Sequence, residues 1–457
     1  MRLLYGLLAA SAPCLAVLSF CGFGGQIAST VKEPVLVTAT EAYDATAAVR
    51  GAERFVRGAR LLLIRNGKAE PLVEGFAATA DGDVSFDAKR ALFAGKKNQS
   101  DPWAIWEVTL ADGSVREVAG GDADRIRPLY LPDDRLVFAQ RTKNGFQLTA
   151  AKLDGSERVE LTHIPGSAVP ADVLADGRIL FESAYPLGGG KTPELYLVYS
   201  DGSGVESYRC DHGAARWGGK QLASGDVVFT HGAGAGAGLA RFASPLAAEA
   251  PVAAPRAEYM GGVVETRTGE WLVSAGEPGG AHASLKLWKQ GASQLQPFFS
   301  LPGESLVQPV LVKERMRPHR HPSALHDWNY GNVLALDARE SREGDLTEVP
   351  ARVRLDMLDA GGNTVALGSA PVEQDGSFFV KAPADAPIRF ALLDAKGKVL
   401  RQEHGWFWMR KGEQRICVGC HTGPERAAEN RVPAVLLRTT TAVDLTGAAQ
   451  PAVAGRP

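Results

Sequence analysis

Asp133-Asp134-Arg135-Leu136-Val137-Phe138 couples a tight acidic turn to a short apolar run, and the coupling recurs through the first two thirds of the chain. Asp176-Gly177-Arg178-Ile179-Leu180-Phe181 repeats it, as do Ser224-Gly225-Asp226-Val227-Val228-Phe229 and Thr268-Gly269-Glu270-Trp271-Leu272-Val273. Ala91-Leu92-Phe93 belongs to the same series, and successive runs end 43 to 48 residues apart. Several units carry a second run closed by Asp-Gly-Ser, at Asp112-Gly113-Ser114, Asp154-Gly155-Ser156 and Asp201-Gly202-Ser203. Asp-Gly supplies the positive φ that two-residue hairpins require. Each period therefore reads as an antiparallel meander the size of a β-propeller blade, a unit that buries its faces only against its neighbours.

The flanks fit ring closure. Arg60-Leu61-Leu62-Leu63-Ile64-Arg65, followed by Asn66-Gly67, reads as the outer half of a blade, and Leu306 to Val312 as an inner half. Joined, they make one shared blade beside five full ones, so the expected architecture is all-β: a propeller of about six blades over 55–315. The repeats resemble those of TolB-like propellers and lack the Gly-His and Trp-Asp signature of WD40 proteins. Composition agrees, because 51 glycines and 27 prolines suit many short strands better than a helical bundle. At 457 residues the chain exceeds one ordinary core, which predicts a second domain. A net charge of −2 lacks the basic excess of a phosphate-reading surface, so no nucleic-acid partner is expected.

Pro318 and Pro322 break regular pairing after the last blade, in a passage that also carries His319 and His321, with His326 shortly beyond. These histidines are read as solvated linker residues, with metal or haem ligation as the alternative. Over 319–405 strand patterns return, at Val333-Leu334-Ala335-Leu336, Val353–Met357, Val365-Ala366-Leu367, Phe378-Phe379-Val380 and Phe390–Leu393. They predict a small β-sandwich-like domain that presents the segment after it, 406–437. Residues 438–457 read as a disordered tail.

That segment holds Cys417-Val418-Gly419-Cys420-His421, the Cys-x-x-Cys-His arrangement. Two thiols at this spacing add across the haem vinyl groups, and the adjoining histidine ligates the iron from the proximal side. A thioredoxin-like pair would follow a βαβ pattern, and a structural zinc site would need a second ligand pair; the sequence shows neither. Trp406 and Trp408 are candidate walls for the porphyrin, or else core aromatics. Met409 and His404 are candidate distal ligands, beside the His319 and His321 group, and an open sixth position is equally compatible. Gly419 keeps the loop small, a property expected to serve the porphyrin edge.

The N-terminus supports this cofactor. No charged residue occurs from Leu3 to Val31 after Arg2, the pattern of an export signal over 1–30. Covalent haem attachment in bacteria occurs outside the cytoplasm, so a periplasmic location is expected. Cys21 after Leu18-Ser19-Phe20 looks like a degenerate lipoprotein box, which would add membrane association through the N-terminus. Once Cys14 and Cys21 are set aside with the signal, the spare Cys210 reads as a structural thiol.

Pro371-Val372-Glu373-Gln374-Asp375-Gly376-Ser377-Phe378, Trp406-Phe407-Trp408 and Gly412-Glu413-Gln414-Arg415-Ile416-Cys417, with Asn430 and Pro433 downstream, resemble the hydrazine synthase alpha-subunit family. The resemblance covers the last third of the chain and agrees with the repeat region. It implies a propeller, a middle β domain and a C-terminal c-type haem. It does not carry over hydrazine synthesis, since the characterised enzyme uses a further haem and partner subunits. This chain has a single Cys-x-x-Cys-His and no tyrosine soon after His421. The expectation is an exported monohaem c-type cytochrome with one haem c, relaying electrons to a redox partner protein. A haem oxidoreductase subunit acting on a small molecule at an open iron is the alternative, as is a propeller binding module with a structural or sensory haem.

Overall fold

The computed structural model describes residues 31–184, 192–209, 213–341, 344–419, 429 and 431–447. The export segment with Cys14 and Cys21, and also Cys210, lie outside the described residues.

The apolar runs of the repeat are the second strands of successive blades. Phe93, Phe138, Phe181, Phe229 and Val273 are each essentially inaccessible. Five sheets follow in chain order, each meandering from an inner strand such as Ala78–Val84 to an outer one such as Val115–Ala119. The sixth joins the two ends of the propeller, with Ser305–Leu311 innermost, then Val35–Thr40, Arg60–Arg65 and Lys68–Pro71. The shared blade is thus as expected, but the propeller starts at Val35, ahead of the expected residue 55.

Apolar clusters fill the wedges between blades. Leu36 and Leu61 meet Phe93 and Val108 across one wedge, and Leu180 and Leu197 meet Phe229 and Phe242 across another. Carboxylates staple neighbouring inner strands. Asp81 Oδ2 accepts the Arg127 N–H at 3.0 Å, Asp83 Oδ2 accepts that of Tyr130 at 2.9 Å, and Glu182 Oε1 accepts that of Gly218 at 2.7 Å. Asp81 also pairs with Arg54 (Nη2···Oδ2 2.7 Å), both side chains being buried.

Two four-stranded sheets beyond residue 329 pack face to face as the predicted sandwich. One orders Gln414–Cys417, Tyr330–Ala335, Phe378–Pro383 and Val443–Asp444; the other orders Thr364–Pro371, Arg352–Leu358, Ile388–Leu393 and Val399–Gln402. Val333, Val353, Leu355, Phe378, Val380 and Ile388 form the core between them. Two expectations change here. The sandwich extends beyond residue 405, because Gln414–Cys417 is its edge strand. The tail expected to be disordered is ordered as far as Gly447, since Val443–Asp444 pairs at the other edge and Leu445 enters the core.

The domains meet around Trp408. Its ring, 1% exposed, completes the apolar wedge between the blades of residues 125–160 and 168–207, and its Nε1–H donates to the Gly202 carbonyl at 3.0 Å. Glu413 accepts the Gly204 N–H at 3.2 Å, so the Asp201-Gly202-Ser203 turn is the docking point. Arg410 donates to Asp385 Oδ1 at 2.8 Å and to His163 Nε2 at 2.6 Å.

A ring that accepts at Nε2 stays neutral. Burial first, and then the Arg410 charge, pulls the His163 pKa down to about 3. An unfolded histidine titrates near 6.5, so in the interval the unfolded chain binds a proton that the folded chain refuses. Stability from this site is complete above about pH 6.5 and falls, by at most a few kcal/mol, as pH drops toward about 3. His163→Gln should therefore flatten the acid limb of thermal stability; equal slopes in variant and parent would contradict the assignment.

Candidate haem-attachment site

Gln414–Cys417 runs parallel to Tyr330–Ala335, with Cys417 opposite Ala335. Pairing continues past the strand, as the Leu336 N–H donates to the Cys417 carbonyl (2.9 Å) and the Asp337 N–H to that of Val418 (3.1 Å). Alternation along the strand sends Ile416 outward, 67% exposed, and lays the half-buried Cys417 side chain against the sandwich core. Cys417 forms no disulfide. Burial pushes its thiol pKa up, the opposite of an activated redox thiolate.

Gly419 follows. A Cβ there would stand 2.7 Å from the Glu340 carbonyl oxygen and 2.9 Å from that of Asp337. Its smallness therefore fits the loop to the Asp337–Glu340 turn, a contact with protein where a contact with porphyrin was expected. Cys420 and His421 lie outside the described residues.

The chain returns at Glu429 to the same end of the sheet. Arg431 pairs with Asp375 (Nη1···Oδ2 2.5 Å, Nη2 to the carbonyl 2.9 Å), and the Ala434 N–H donates to Asp375 Oδ2 at 2.8 Å. The Val435 N–H donates to Ser377 Oγ at 3.1 Å. Burial works to raise the Asp375 carboxyl, but its bonds to Ser377 and Ala434 and the Arg431 charge outweigh it and hold the pKa below the usual range. Gly376 lies between these anchors at φ +83°, and a Cβ there would overlap Asp337 Oδ1. Gly376→Ala should cost about 2 kcal/mol or more, from the left-handed backbone and the displaced carboxylate. A thermal unfolding curve indistinguishable from the parent would refute this.

Leu336, Asp337, Glu340 and Val418 line one small crevice with Glu429 and Arg431, so the described residues on either side of Cys420 and His421 meet at one place. Val432 and Leu437, like Ile416, are largely exposed apolar side chains flanking the motif. An unpaired cysteine on a fixed strand end fits one of the two thioether bonds of a covalently held porphyrin.

The other candidates fall elsewhere. Trp408 belongs to the domain interface. Met409 is fully buried in the sandwich core, where its Cε lies 2.5 Å from the point a Cβ on Gly331 would occupy. Trp406 is buried beneath the Arg389 guanidinium, 4.3 Å from its ring centroid. His404 is exposed. His319 donates its N–H to the Ala175 carbonyl on the propeller at 3.0 Å, and the His321 ring stacks on Tyr199 at 3.8 Å. His326 stacks on Trp328 near Gly412, at the opposite end of the strand from Cys417 and roughly 15 Å away by strand rise. Among the described residues no group of three or more His, Cys, Asp or Glu is placed to hold a metal ion, and no helix is long and apolar enough to cross a membrane. Sequence reasoning missed the clamp of Asp375, Ser377 and Arg431, although Asp375-Gly376-Ser377 carries the same turn signal as the blades.

Residues 344–422 match the family model described as the hydrazine synthase alpha subunit middle domain. The solved structure of Kuenenia stuttgartiensis hydrazine synthase superposes with a TM-score of 0.77 at 16% identity, over 89% of this chain and 71% of that chain. TolB from Acinetobacter baumannii matches at a TM-score of 0.40 and 15% identity, over 62% of this chain and 67% of that one. No curated protein matches the sequence.

Proposed function

We propose that this hydrazine synthase alpha-like chain is an exported monohaem c-type cytochrome. Cys417 and Cys420 hold one haem c, His421 is the proximal iron ligand, and electrons pass to a redox partner protein. The observation that carries the reading is the Cys-x-x-Cys-His motif, whose flanking residues Val418, Glu429 and Arg431 meet in one crevice of the sandwich. When bound, the haem supplies one-electron chemistry at iron. The chain's own part is to fix Cys417 at the end of a paired strand and to anchor the return through Arg431 and Asp375. The uncharged stretch from Leu3 to Val31 supports export, to the periplasm or to a membrane surface through a lipidated Cys21.

A second reading gains support from the burial of Met409, which is engaged in the core and offers the iron no sixth ligand from its present position. An iron left open on that side suits a haem oxidoreductase subunit acting on a small molecule. The visible spectrum of purified protein under carbon monoxide separates the two. Low-spin bands indifferent to the gas support electron transfer, with His404 the nearest candidate ligand in sequence. High-spin iron that binds carbon monoxide overturns it in favour of the oxidoreductase.

A further inference from the structure

The propeller's inner strands are bulged, three of them at a non-glycine residue with positive φ: Asp81 (+59°), Arg127 (+55°) and Gln308 (+57°). A fourth bulge holds Gly218 at +67°. Left-handed backbone at non-glycine residues is costly, and it concentrates where a site needs it. These four residues line one cavity of about 70 Å³ on the propeller axis. Tyr43, from the insertion between Val35–Thr40 and Arg60–Arg65, also lines it. Strand polarity places that insertion on the opposite face from the 312–329 linker.

The charges around the cavity are unevenly committed. Asp81 is saturated by Arg54, the Arg127 N–H and Gln308 Nε2 (2.9 Å to Oδ1). Asp172 accepts the Gln221 N–H at 2.8 Å, and Glu182 accepts that of Gly218. Burial also raises the Glu182 carboxyl toward its neutral form, against the pull of Arg127. The cations are less engaged. The Arg127 side chain donates only from Nε, at 3.3 Å to the Pro170 carbonyl, and neither Nη nitrogen has a hydrogen bond or ion pair among the described residues. Lys220 Nζ has a single contact, 3.4 Å from Asp172. The remaining wall is apolar, with Leu129, Met260, Val264 and Val310.

We propose that the central channel binds a short-chain carboxylate. The Arg127 guanidinium takes the carboxylate through its unused Nη fork, Lys220 adds a second positive charge, and the alkyl end lies against Met260, Val264 and Val310. A guanidinium fork matches a carboxylate in two parallel hydrogen bonds, and apolar walls favour an organic acid over an inorganic oxyanion.

Isothermal titration of the full chain with acetate, propionate and butyrate, and with sulfate as the inorganic arm, tests this. Saturable propionate binding is expected, at least tenfold tighter than sulfate and at least tenfold weaker in Arg127→Gln. No saturable carboxylate binding, equal binding of sulfate, or unchanged affinity in a folded Arg127→Gln would each overturn it. If Arg127→Gln does not fold, Lys220→Met decides: weakening of threefold or more is expected, and unchanged affinity overturns the proposal.

Discussion

Trp408→Ala is expected to destabilise the protein by about 3–5 kcal/mol and to split one cooperative unfolding transition into two. A buried tryptophan removes roughly 200 Å² from water, an upper bound of about 5 kcal/mol at 25 cal/mol per Å². Truncation also strips the Gly202 carbonyl of its donor, worth about 1 kcal/mol more unless water enters. The loss falls on the contact between domains, because the ring sits among Leu148, Leu161, Ile179 and Phe181 of the propeller while its backbone belongs to the sandwich. Trp408→Phe keeps most of the apolar area and should cost only about 1–2 kcal/mol. Differential scanning calorimetry reads both variants. A single transition in Trp408→Ala, shifted by less than about 1 kcal/mol, would show that the polar contacts of Glu413 and Arg410 suffice to hold the domains.

The other large effect concerns the cofactor. Cys417→Ser with Cys420→Ser is expected to abolish covalent haem, while each single variant retains at most one thioether. His421→Ala should leave the haem attached and change the ligation spectrum of the iron, which separates attachment from coordination. The sandwich should survive all of these. Cys417 contributes only partial burial to a core built on Val333, Leu355, Phe378 and Ile388, and the strand is held by its backbone pairing with Tyr330–Ala335. Circular dichroism unchanged from the parent checks that point.

The blades were legible because each repeats a turn and an apolar run whose last residue is buried. Val35–Thr40 escaped because the insertion before Arg60 breaks the period, although its residues are as buried as any in the repeat. Val443–Asp444 escaped because a two-residue edge strand has too few positions to show alternation. Trp406, Trp408 and Met409 illustrate a different limit. Flat or polarisable side chains near a haem motif suit a porphyrin and a protein core equally, and only the fold distinguishes them. It gives Trp408 to the propeller and Met409 to the sandwich. The Cys-x-x-Cys-His pattern could be read directly because its residues are consecutive. Its clamp could not, because Asp375 and Arg431 come together only when the sheet forms.

Whether Cys417 and Cys420 carry haem is tested most directly by the intact mass of the full chain. The measurement is made under denaturing conditions, after expression with the cytochrome c maturation machinery. A mass raised by one haem is expected in the parent, and by none in Cys417→Ser/Cys420→Ser. A parent mass equal to that of the unmodified polypeptide would contradict haem attachment.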